Sequence, residues 1–186
     1  MTLIRNAALA ALLLHITPVV ELVKRPAAVQ ALLPGANAYF ARDIHLSDPD
    51  AHRLHEVLDW SPADGVLTFY LGKAGTSDVG TLEFVRVDTP HGPIEVAVGF
   101  TPAGVVRAVL VTKATVETKP WVLGAERAGL LERYAGLRPA EQPAGAAAVT
   151  GHAENLSVYI AGEVDKGVAR ALVAYKDFFA PGPGRP

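Results

Sequence analysis

The chain predicts an α+β domain: an antiparallel β-meander packed by a long C-terminal helix and shorter helices, preceded by one N-terminal hydrophobic helix. Three observations predict it. Short apolar runs between residues 66 and 112 are separated by Gly/Pro turns, the mark of consecutive antiparallel strands. Leu156, Ile160, Val164, Val168 and Leu172 recur every fourth residue, with Tyr159 and Tyr175 beside them, which gives one long helix a single apolar face. Ala7 to Leu14 is an unbroken apolar run near the N-terminus.

The elements follow in order. Met1 to Arg5 is short with one cation, and the apolar stretch from Leu3 reaches Val23 before Lys24 and Arg25. A secretory signal, an uncleaved membrane anchor of about 20 residues and an amphipathic soluble helix share this layout. No small-x-small cleavage site follows it, so residues 1–24 are expected to be a membrane anchor. Arg5, Asn6, His15, Thr17 and Glu21 interrupt it, and polar groups inside a bilayer seek protein partners. The globular domain is expected over 25–180, with 181–186 a disordered tail.

Arg25-Pro26 opens a short helix that Pro34-Gly35 stops, with Pro in a permitted first-turn position. Asp48-Pro49-Asp50 starts a second, with Asp48 as the candidate cap and Leu54, Val57 and Leu58 on its apolar face. Strands are expected at Val66–Leu71, Thr81–Asp88, Ile94–Phe100 and Val105–Thr112, with Lys73–Gly80 as a long turn. Trp121 to Tyr134 reads as a helix stopped near Gly136, and Glu141 to Gly151 as a Pro/Ala/Gly-rich connection.

Composition excludes several functions. Charged residues are 19% of the 186, and the net charge is −2, which provides no basic face for nucleic acid. The absence of cysteine excludes disulfides, thiolate catalysis, Cys-ligated zinc and iron–sulfur clusters. No nucleophile–base–acid set stands out, and no P-loop, GxSxG or GxGxxG occurs. His52 and His55 share a helix face without the HExxH spacing, so a solvated face accounts for them and no metal site is expected. Gly72 to Ser77 reads as a hairpin loop. Glu117-Thr118 follows the last strand between Lys113 and Lys119, where exposed ion pairing is the default. Thr150-Gly151 precedes the long helix, where a Thr caps the helix or a phosphate meets its free N–H groups.

Gly92-Pro93-Ile94 and the strand to Gly99-Phe100, then Ala103-Gly104-Val105-Val106, resemble the Gly-x-Ile, strand, Gly, turn, Gly, strand signature of the FMN-binding domain family. That family includes the flavinylated periplasmic subunits of sodium-translocating NADH:quinone oxidoreductase and its relatives. Glu117-Thr118, Trp121, the Leu130 to Tyr134 stretch and Leu32-Leu33-Pro34-Gly35-Ala36 fit in the same order, so the likeness runs from about Ala28 to Phe178. The resemblance implies a flavin phosphate at Thr150 and Gly151, with Glu117, Thr118 and Trp121 lining the ring. Members with covalent FMN carry an acid followed by Ser-Gly-Ala-Thr; here the stretch is Ala147-Ala148-Val149-Thr150, with Ala144 about where the acid belongs. The expectation is therefore a domain without flavin, serving as an accessory subunit of a membrane electron-transfer complex on the periplasmic side of a bacterial inner membrane. FMN carried at Thr150 and an independent small-ligand module are the alternatives.

Overall fold

A computed structural model describes residues 17–145 and 155–180. Six strands form one fully antiparallel sheet in the order β1-β6-β5-β4-β3-β2. They are β1 Val19–Glu21, β2 Ala38–His45, β3 Val66–Ala74, β4 Ser77–Val87, β5 Ile94–Phe100 and β6 Val106–Thr115. Helices α1 Arg25–Leu32, α2 Asp48–Leu58, α3 Lys119–Arg127 and α4 Asn155–Ala174 complete the α+β fold. The expected meander is therefore the sheet's centre, and the expected long helix is α4, prolonged by a π-turn over Tyr175–Phe179.

Strand alternation sorts the sheet into two faces. Val85 and Val87 of β4, Val96 and Val98 of β5, and Val109 and Val111 of β6 point to one face, which buries Ile160, Val164, Val168 and Leu172 of α4. A buried aliphatic residue of this kind contributes roughly 1.5–3 kcal/mol, so this seam dominates stability. On the other face Leu82 and Ala97 pack with Leu32 and Leu33 at the end of α1. A Cβ on Gly99 would stand 2.9 Å from that of Leu32, so the glycine lets α1 lie directly on the sheet. Arg25 clamps the helix start: it bonds Glu95 (3.0 Å) and the Tyr70 hydroxyl (3.1 Å), and its guanidinium lies 4.0 Å over the Phe84 ring.

Several boundaries differ from the sequence reading. The last part of the stretch assigned to the anchor is a strand, because Val19, Val20 and Glu21 pair with Thr115, Ala114 and Lys113 of β6. Residues 1–16, where the rest of the expected anchor falls, and the tail 181–186 lie outside the described residues. Among the described residues no helix is long and apolar enough to cross a membrane. The turn expected over Lys73–Gly80 is mostly strand: Ala74 pairs with Ser77 around Gly75 and Thr76, with Gly75 at φ +61°. Ser47, one residue before Asp48, caps α2; its Oγ accepts from the Asp50 backbone N–H (3.3 Å). The helix expected from Trp121 to Tyr134 ends at Arg127, since Gly129 takes φ +80°, and a 3-10 turn follows over Leu131–Tyr134.

Candidate functional site

The sheet end where β6 passes into α3 is built by two threonines. Thr115 and Thr118 are both completely buried. The Thr115 backbone N–H donates to Thr118 Oγ (3.0 Å), the Thr118 backbone N–H donates to Thr115 Oγ (3.1 Å), and the two hydroxyls lie 2.9 Å apart. This reciprocal pairing satisfies buried polar groups that the chain would otherwise strand at the turn. Thr115 Oγ also donates to the His91 carbonyl (3.1 Å), tying in the turn before β5. Gly92 in that turn has φ +91°, and a Cβ there would stand 2.5 Å from Thr115 Cγ2. Both the backbone angle and the space therefore require glycine.

Three segments meet above this corner. His91 Nδ1 shares a 2.8 Å hydrogen bond with Glu117 Oε1. The His91 ring meets the edge of Trp121 at a centroid distance of 4.9 Å and of Tyr159 at 5.7 Å, both T-shaped, the geometry aromatic quadrupoles favour. Trp121 stands on the first turn of α3 and Tyr159 on the first turns of α4. Those helices cross closely: a Cβ on Gly124 would collide with Ser157 Oγ. Among the described residues the buried Tyr159 Oη has no hydrogen-bond partner.

Of the residues singled out from sequence, Glu117 and Trp121 come together here around His91. Thr118 is adjacent in space, but its hydroxyl and its amide are both engaged with Thr115. Thr150 and Gly151 lie outside the described residues. His91 and Tyr159 were missed. His91 sits in a Thr-Pro-His-Gly-Pro stretch that reads only as a turn, and Tyr159 lies beside the apolar stripe of α4.

Elsewhere, a cleft of about 600 Å³ opens between the end of α2, the end of β4 and α4, lined by Trp60, Asp88, Glu163, Lys166 and Arg170 among others. Its charges are largely engaged: Lys166 bonds Glu163 (2.8 Å), and Arg170 donates to the Arg86 carbonyl (3.2 Å) and lies over Trp60. Burial lowers the Arg170 pKa. His52 pairs with Glu56 at 3.3 Å on exposed α2, and among the described residues no group of three or more His, Cys, Asp or Glu is placed to hold a metal.

No protein-family model matches this chain, and no curated protein matches it.

Proposed function

We propose that the chain is an accessory subunit of a membrane electron-transfer assembly, built on an FMN-binding-like domain that carries no flavin. The assembly partners are its other subunits, and the N-terminal segment holds the domain at the membrane, on the periplasmic side. The observation that supports the missing flavin is the closure of the corner on itself. The Thr118 hydroxyl is engaged by Thr115, and the Glu117 carboxylate by His91. A ring-site residue needs a free donor or acceptor aimed at the ligand; the Thr118 hydroxyl and amide are committed inside the corner, and His91 already takes one oxygen of the Glu117 carboxylate. Val149 adds bulk, and the Ser, Gly and acid expected ahead of Thr150 are absent from the sequence.

A second reading, a planar ligand such as FMN held without a covalent bond, is favoured by one observation: the buried Tyr159 hydroxyl, near His91, has no partner among the described residues. Intact mass and an absorption spectrum on protein purified from its native membrane separate the readings. An unmodified mass without flavin bands is the expected result. Flavin bands with an unmodified mass establish the second reading. A mass increase of one FMN phosphoester, abolished by Thr150→Ala, refutes the proposal and makes the chain a redox carrier.

A further inference from the structure

The sheet has one long free edge. Strand β2 borders only β3, and among the described residues no strand pairs with its other side. A free edge of eight residues is a template for another strand, and proteins usually blunt such edges or use them. This one is not blunted by proline or by a bulge, and Tyr39 and Phe40 are 43% and 53% exposed along it.

The geometry points to a second copy of this chain as the occupant, joined antiparallel through β2 about a two-fold axis at Ala41. The backbone limits the choice of register. Leu46 N–H donates to the Gly65 carbonyl (2.9 Å), so Leu46 and Gly65 form a hydrogen-bonded pair. Counting back by two, Ile44, Arg42 and Phe40 direct their backbone groups to β3, while Asp43, Ala41 and Tyr39 direct theirs outward. A symmetric antiparallel partner must pair outward residues with outward residues. Four registers meet that condition near the centre of β2. Centring on Phe40 overlaps only the five residues from Ala38 to Arg42, and centring on Asp43 only the five from Ala41 to His45. Centring on Arg42 sets two arginines opposite one another at the narrow, non-hydrogen-bonded position, which like charges disfavour.

Centring on Ala41 uses seven residues, Ala38 to Ile44, and every opposition is favourable. Phe40 meets Arg42 twice, a cation over an aromatic face; Tyr39 meets Asp43 twice; Ala38 meets Ile44 twice. Arg42 already lies 5.2 Å over the Phe179 ring, so the partner's Phe40 extends an existing aromatic–cation row. The small Ala41 side chain stands on the axis, directly opposite its own copy. The product is one continuous twelve-stranded sheet with both α4 helices on the same face.

The chain lacks cysteine, so single cysteines report the register directly. In the full chain in mild detergent, Ala41→Cys should form a disulfide-linked dimer under gentle oxidation, since a hydrogen-bonded antiparallel pair holds its Cα atoms about 5.5 Å apart, within disulfide range. Arg42→Cys should cross-link far less. Sedimentation equilibrium should show a concentration-dependent doubling of protein mass. Ala41→Lys, which leaves the backbone donors intact and sets two cations across the axis, should abolish that doubling with an unchanged circular dichroism spectrum. A chain that stays monomeric at all concentrations overturns the proposal. So does preferential cross-linking at residue 42, or an Ala41→Cys adduct with a different protein.

Discussion

Replacing Glu83 with Met should stabilise the domain. Glu83 is on β4, with Phe69 of β3 and Val98 of β5 as its lateral partners, so its side chain points to the α4 face of the sheet. It is 3% exposed, and among the described residues its Oε2 has no hydrogen-bond partner. Burial pushes its pKa well above the usual carboxylate range. The sign follows from linkage. The unfolded carboxyl ionises near ~4.3, while the folded one resists ionisation, so the native state binds more protons over the interval between the two pKa values. The contribution of Glu83 to stability is whole below the unfolded pKa and is lost as pH rises toward the folded one. Glu83→Gln cannot ionise, so its stability relative to wild type should grow from near zero at pH 4 to a clear gain at pH 7. Met matches the volume and removes the stranded polar atom as well, worth about 1–3 kcal/mol. For a domain of this size that is a rise in Tm of roughly 2–12 °C. Thermal and urea unfolding at pH 4, 7 and 9 measure both effects. A Glu83→Met variant less stable than wild type at pH 7, or a Glu83→Gln difference that does not change with pH, refutes the reasoning.

Three further substitutions test the corner and the core. Gly92→Ala should destabilise by roughly 2–4 kcal/mol in urea, combining left-handed backbone strain with a close approach to Thr115. Thr118→Val keeps the shape but leaves the Thr115 backbone N–H without its acceptor, at a cost of about 1–3 kcal/mol by the same assay. Tyr134 donates to Asp165 Oδ1 (2.7 Å), which also accepts from the Gly145 N–H (3.0 Å), so Tyr134→Phe should lose about 1.5–3 kcal/mol. Burial first, and then the Asp165 bond, hold the Tyr134 hydroxyl far above the usual tyrosine range. Its stabilisation is complete below the unfolded tyrosine pKa and declines above it, so Tyr134→Phe should also flatten the alkaline fall in stability. Absorbance titration should show one tyrosine that ionises only on unfolding.

Elements with strict periodicity were legible, and edges were not. The four-residue spacing that predicts α4 is met by Ile160, Val164, Val168 and Leu172, all buried, while Leu156 at the helix start stays exposed. Strands β3 to β6 announce themselves because each sits inside the sheet. Strand β2 does not: Ala-Tyr-Phe-Ala-Arg-Asp-Ile-His carries apolar and charged side chains on both faces, since an edge strand is only partly covered. Strand β1 is three residues long and continues an apolar run, so its membership of the sheet depends on β6, far away in sequence. The same limit applies to the corner. Glu117 and Trp121 are neighbours in the chain and could be nominated together, whereas His91 and Tyr159 join them only through the fold.

Five of the residues quoted for the resemblance to FMN-binding domains answer a demand of the backbone. Gly92 meets a positive φ and the Thr115 methyl; Gly99 meets α1; Gly104, at φ +77°, lies against Tyr175; Gly35, at φ +83°, follows the end of α1. Thr118 closes the β6–α3 turn with Thr115. Each would be retained by selection for folding alone, with or without a ligand, because each substitution strains the backbone or strands a buried polar group. Cofactor binding is recorded instead in groups with no structural duty. In this corner those are the Glu117–His91 pair, which rests on the surface, and the buried Tyr159 hydroxyl, which has no partner among the described residues. Thr118→Val should therefore weaken the fold whether or not flavin is present. Tyr159→Phe removes only an unpartnered hydroxyl, so in a flavin-free protein it should leave stability unchanged or slightly raised. A loss of stability on Tyr159→Phe that appears only when FMN is added would mean that the hydroxyl serves a ligand, and would reverse the choice between the two readings.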